Sequence, residues 1–76
     1  MNAIDDWRLS LTMINPKDDF YETHIVGIFS LESDARIAMD ELIKSTTIPA
    51  KVSLKKNKLL EEKCLNGFID THGLIK

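Results

Sequence analysis

The chain reads as a small α+β domain: a three- to four-stranded antiparallel sheet with one amphipathic helix packed on a face, ordered ββαβ or ββαββ. Two observations lead there. Residues 25–44, IVGIFSLESDARIAMDELIK, pass from an apolar strand straight into a helix with a single apolar stripe. Residues 7–13 and 50–55 alternate apolar and polar side chains, the period of a strand that buries one face. Seventy-six residues make one domain, 1–76, with a modest core and little stability to spare.

In the first strand Trp7, Leu9, Leu11 and Met13 alternate with Arg8, Ser10 and Thr12. Asn15 and Pro16 end it, and the polar turn PKDD leads to Phe20 and Tyr21. The second strand is expected from Glu22 or Thr23, so the two form an antiparallel hairpin with a longish tip. Ile25, Val26, Ile28 and Phe29 suit a pleated, largely buried surface. Gly27 weakens that strand unless another group must approach the backbone closely, and the following helix is the expected visitor. The strand's apolar residues point both ways. The face holding His24, Val26 and Ile28 then needs cover, from the chain's ends or from a second copy.

Ser30 is placed to cap the helix, since its hydroxyl can accept from an unpaired first-turn amide. Glu32 and Asp34 add negative charge at the positive end of the helix dipole. Leu31, Ala35, Ala38, Met39 and Leu42, flanked by Ile43, form the core stripe. Two central alanines let the helix lie close to the sheet. Arg36, Asp40, Glu41 and Lys44 take the other side, where Asp40 and Lys44 are spaced for an i,i+4 pair. Ile37 stands among those charges, either as a stray exposed side chain or as part of a contact patch. Pro49 disfavours helical geometry at Ile48, so the helix ends near residues 45–47.

Ala50, Val52 and Leu54 alternate with Lys51, Ser53 and Lys55, giving a third strand with the outward lysines of an edge. Residues 57–65, NKLLEEKCL, are ambiguous. Asn57 can cap a short helix closed by Asn66–Gly67, or the Asn-Gly pair can form a tight turn. An irregular or single-turn segment followed by a short strand at residues 67–71 is expected, then a loosely held tail over 72–76.

The composition is that of an ordinary globular domain, 43% hydrophobic and 29% charged. The single cysteine, Cys64, precludes an intramolecular disulfide, and a cytoplasmic home is expected. No apolar run approaches the roughly 18–20 residues of a membrane span, and Asp5–Asp6 stand where a signal peptide would be basic. The net charge of −2 hides a polarity. Residues 1–50 carry four basic groups against nine acids, whereas residues 51–76 carry six against three.

Little of this pattern carries chemistry. Cys64 has His72 eight residues on, but a lone cysteine is more often a small core hydrophobe than a nucleophile. His24, Cys64 and His72 lack metal-ligand pair spacing. The acid pairs Asp5–Asp6, Asp18–Asp19 and Glu61–Glu62 are sequence neighbours, which diverge in regular elements. Gly27, Gly67 and Gly73 lie too far apart for a phosphate loop. No catalytic, metal or cofactor site is expected. Two binding surfaces remain. Lys51, Lys55, Lys56 and Lys58 can neutralise phosphates, though without interleaved aromatic platforms. Trp7, Phe20, Tyr21 and Ile37 are candidates for contact with another protein, the aromatics equally able to close the core.

The segment HIVGIFSLESDARIAMDELIK resembles the strand–Gly–aromatic–Ser–helix unit of a family of small bacterial ββαββ domains. KLLEEKCLNGFIDTH is similar to that family's closing segment, an acidic turn followed by a Gly-Phe strand. Gly27, Phe29, Ser30, Ala35, Ala38, Leu42, Gly67 and Phe68 carry the match. The resemblance implies the ββαββ order and brings no activity with it. The expected function is therefore non-enzymatic protein binding, by a small bacterial or phage accessory or inhibitory factor. The alternatives are nucleic-acid binding through the lysines, or a structural homodimer.

Overall fold

The computed structural model describes residues 6–15, 17 and 19–69. It contains β1 (Trp7–Ile14), β2 (Tyr21–Phe29), α1 (Glu32–Ser45), β3 (Ala50–Lys56) and β4 (Leu59–Leu65). All neighbouring strands run antiparallel, in the order β2-β1-β3-β4. The hairpin β1–β2 and the hairpin β3–β4 are thus joined through their first strands. The helix forms the connection between them, leaving β2 at one edge and returning the chain beside β1.

The helix covers one face of the sheet. Trp7, Leu9, Val52, Leu54 and Leu65 form the core with Ala35, which is fully buried. Leu11, Phe29, Ala38, Met39, Leu42 and Ile43 pack against it. Burying a leucine such as Leu9 or Leu54 stabilises the fold by about 1.5–3 kcal/mol. The small Ala35 side chain brings helix and sheet close, as the alanine stripe requires. The helix ends at Ser45, where the Thr46 amide and hydroxyl both donate to the Leu42 carbonyl, at 3.0 and 2.6 Å.

The helix N-terminus departs from expectation. Its cap is Leu31, in extended conformation and without a side-chain capping bond, so Ser30 stands one residue too early. Glu32 and Asp34 do occupy the first turn and supply the favourable charge that a capping hydroxyl does not. Leu31 is 60% exposed and lies outside the core stripe, because the cap residue precedes the helical turns that face the sheet.

Gly27 is filled from its own strand. A Cβ placed there would lie 2.8 Å from the Phe29 ring, two residues along on the same face. In place of the expected visitor, the helix, the nearest group is that ring, which itself packs against the core.

A β-bulge changes which residues of β2 face outward. Leu9 pairs with Gly27 but Ser10 pairs with Ile25, leaving Val26 as the extra residue. Ile28, paired with Arg8, points away from the helix. Past the bulge the alternation flips, so Ile25 joins Ile28 on the outer face and His24, paired with Leu11, turns to the helix side. The expected grouping of His24 with Val26 and Ile28 is thereby corrected.

The last third of the chain is more regular than expected. β3 is a central strand, flanked by β1 and β4, so its lysines line a face rather than an edge. Residues 59–65 are a full strand, joined to β3 by the two-residue turn Asn57–Lys58, with Asn57 in the left-handed region at φ 53°. LLEEKCL lacks hydrophobic alternation because an edge strand, half-covered at best, need not be apolar on either face. Asn66 and Gly67 form a tight turn, at φ 55° and 82°, closed by the Phe68 amide on the Leu65 carbonyl. Residues 67–69 are not a strand. The rest of the expected closing strand, and the tail over 72–76, lie outside the described residues.

Candidate protein-binding surface

The candidate aromatics part company. Trp7 is 6% exposed and belongs to the core, with the Lys56 ammonium 5.3 Å and the Arg36 guanidinium 6.0 Å from its ring centre. It closes the domain rather than presenting itself. Phe20, at the tip of the first hairpin, is exposed. Tyr21 opens β2, packs edge-on against Phe68 with ring centres 5.8 Å apart, and donates its hydroxyl to the Ile69 carbonyl. With Ile14, Pro49 and Phe68 these two line an open apolar cleft of about 580 Å³ at that end of the sheet. Ile37 is exposed on the outer side of the helix.

The four lysines do not share one surface. Lys51 and Lys55 lie on the face away from the helix, Lys56 lies on the helix side over Trp7, and Lys58 sits in the β3–β4 turn. Lys51 is largely covered and pairs with Glu62 at 3.3 Å. The strand pleat explains this division, since successive residues point to opposite faces.

The helix side of β4 is closed by charge. Glu61 accepts two hydrogen bonds from the Arg36 guanidinium, which also donates to Glu32 one helical turn back. The Arg36 contact holds the Glu61 carboxyl below its usual range, and the same bonds raise Arg36. Glu22, bonded first by the Asn15 amide and then by His24, is likewise lowered. These groups are exposed enough for water to weaken the pairs, so they guide packing more than they stabilise it.

The opposite face of the sheet carries no element among the described residues. From β2 to β4 its top row reads Ile28, Arg8, Lys55, Leu60, each directly paired with its neighbour and all four exposed. Below come Ile25, Ser10, Ser53 and Glu62, then Thr23, Thr12, Lys51 and Cys64. Ile25 is 58% exposed and Ile28 55%. Val26, at the bulge, is also exposed. Of these, Lys51 and Lys55 are candidates from the sequence and Val26 and Ile28 are expected on a face in need of cover, whereas Ile25, Arg8 and Leu60 are not singled out. Strand order and the bulge, which together put Ile25, Ile28, Arg8 and Leu60 on one outer surface, leave no local sequence signal.

Among the described residues no cluster of His, Cys, Asp and Glu is arranged to hold a metal. Cys64 is exposed on β4, which corrects the expected core position, and His72 lies outside the described residues. Glu61 and Glu62 point to opposite faces, while Asp5 and Asp18 lie outside the described residues. No helix among them is long and apolar enough to cross a membrane. Comparison with known protein families, with curated proteins and with solved structures finds no match to this chain.

Proposed function

We propose that this chain is a non-enzymatic protein-binding module whose contact surface is the sheet face turned away from the helix. The observation that supports it is the pair Ile25 and Ile28, more than half exposed on the outermost strand and aligned by the bulge on one side. A sheet buries apolar side chains against a second layer, and on this side the described residues provide no helix or strand, while Phe68 and Ile69 reach Tyr21 at its far end from Ile28. A stoichiometric accessory or inhibitory factor, of a bacterium or phage and acting in the cytoplasm, needs such a surface and no reacting groups.

The test is capture from the native host by wild-type chain and by the Ile25→Asp/Ile28→Asp variant, both folded by circular dichroism. A protein retained in equimolar amount by the wild type and lost by the variant is the expected result. Retention unaffected by the double change overturns the choice of face. A dimer mass in light scattering that falls to a monomer mass in the variant would replace the foreign partner by a second copy.

A further inference from the structure

Resting on that reading, we infer that the outer sheet face takes an acidic partner segment, one whose carboxylates are flanked by apolar side chains. The inference comes from the top row of the face. Arg8 and Lys55 are directly opposite each other on the two central strands. Their Cα atoms are therefore about 5 Å apart, with both side chains pointing the same way into solvent. Like charges in this position repel and weaken a sheet. Among the described residues neither has an acidic partner: the basic side chain of this face that is ion-paired is Lys51, held by Glu62 lower down. Among the described residues the domain thus keeps two adjacent cations without an acidic partner in the middle of the top row of this face.

The ends of the row define the rest of the partner. Ile28 lies beside Arg8 and Leu60 beside Lys55, at 55% and 52% exposure. Four strands at about 4.8 Å spacing make the row about 14 Å long, apolar at both ends and cationic in the middle. Ser10 and Ser53, small and partly buried, form the next row and leave room below the cations. A carboxylate settling between Arg8 and Lys55 neutralises both, while its apolar neighbours cover Ile28 and Leu60. A nucleic-acid backbone fits less well. It requires cations that continue along its track, whereas this row ends in aliphatic side chains and Lys56 lies on the other face.

The decisive variant is Arg8→Glu, because folding and binding respond to it in opposite directions. It turns the cross-strand repulsion into an attraction with Lys55, so its thermal midpoint is expected to equal or exceed that of the wild type. Random-sequence peptides displayed on phage are selected against the full chain, and the enriched peptides are titrated against wild type, Arg8→Glu and Lys55→Glu. The expected outcome is enrichment of Asp and Glu among Leu, Ile and Phe, with about tenfold or greater loss of affinity in each variant. Enriched peptides without acids, or ones that bind the variants as well as the wild type, overturn the acidic-partner inference while leaving protein binding intact. No enrichment, combined with retention of a single-stranded oligonucleotide that both variants lose, overturns the protein-binding reading itself.

Discussion

At the scale of single residues, Gly27 and Phe29 are the pair most open to test. The glycine belongs to an edge strand and is covered by an aromatic ring two residues away, at a distance no added Cβ would tolerate. Gly27→Ala therefore forces the Phe29 ring off its place beside the core. The change is expected to destabilise by roughly 1–2 kcal/mol, the scale of mild overpacking, and a urea unfolding midpoint measures it. An unchanged or higher midpoint would mean that the ring swings aside freely. Titration gives a second prediction at this scale. Glu22 and Glu61 are both held below the ordinary carboxyl value of 4.5 in the folded chain. Stability from such groups is present above the unfolded value and is lost as pH falls through the lower folded values. Thermal midpoints should accordingly fall below about pH 4.5, and Glu61→Gln should flatten part of that fall. Arg36 moves the other way, but its titration lies above any working pH.

At the scale of elements, the parts with strong local periodicity were legible and the parts defined by pairing were not. β1 and α1 announced themselves by alternation and by the alanine stripe, and Ala35 is indeed fully buried. β4 was hidden, because Leu59, Leu60, Glu61, Glu62 and Lys63 follow neither a helical nor a strand period. Its strand conformation comes from hydrogen bonding to β3 and from the Asn57 turn rather than from burial of a regular face. The candidate surface was half legible for the same reason. Apolar excess in β2 could be read, but its edge position and the bulge at Val26 are products of partner strands. The end of β4 depends on Asn66, whose amide donates to the carbonyls of Thr46 and Ile48 and so ties the last turn to the loop entering β3. Asn66→Ala removes both bonds and puts a less suitable residue at positive φ. It is expected to cost about 1–2 kcal/mol, measured by urea denaturation, and an Asn66→Gly variant should recover the backbone part of that cost alone.

At the scale of the whole molecule, one sheet has two unlike sides. The helix side is closed by leucines, alanines and Trp7, and its charged rim over β4 is satisfied by Arg36. The other side sets Ile25, Ile28 and Leu60 around Arg8 and Lys55. The charge polarity along the sequence is carried into space in part: the acids of α1 lie on the helix side and Lys51 and Lys55 face away from it, whereas Lys56 and Lys63 share the helix side. The proposed protein-binding function rests on that asymmetry. Methyl chemical shifts of the isoleucines test it most directly, recorded on the full chain with and without a selected acidic peptide at saturation. Ile25 and Ile28 should shift strongly, while Ile37 on the outer side of the helix and Ile43 beside the core stay in place. Shifts centred on Ile37, with Ile25 and Ile28 unmoved, would contradict the account and transfer the contact to the helix.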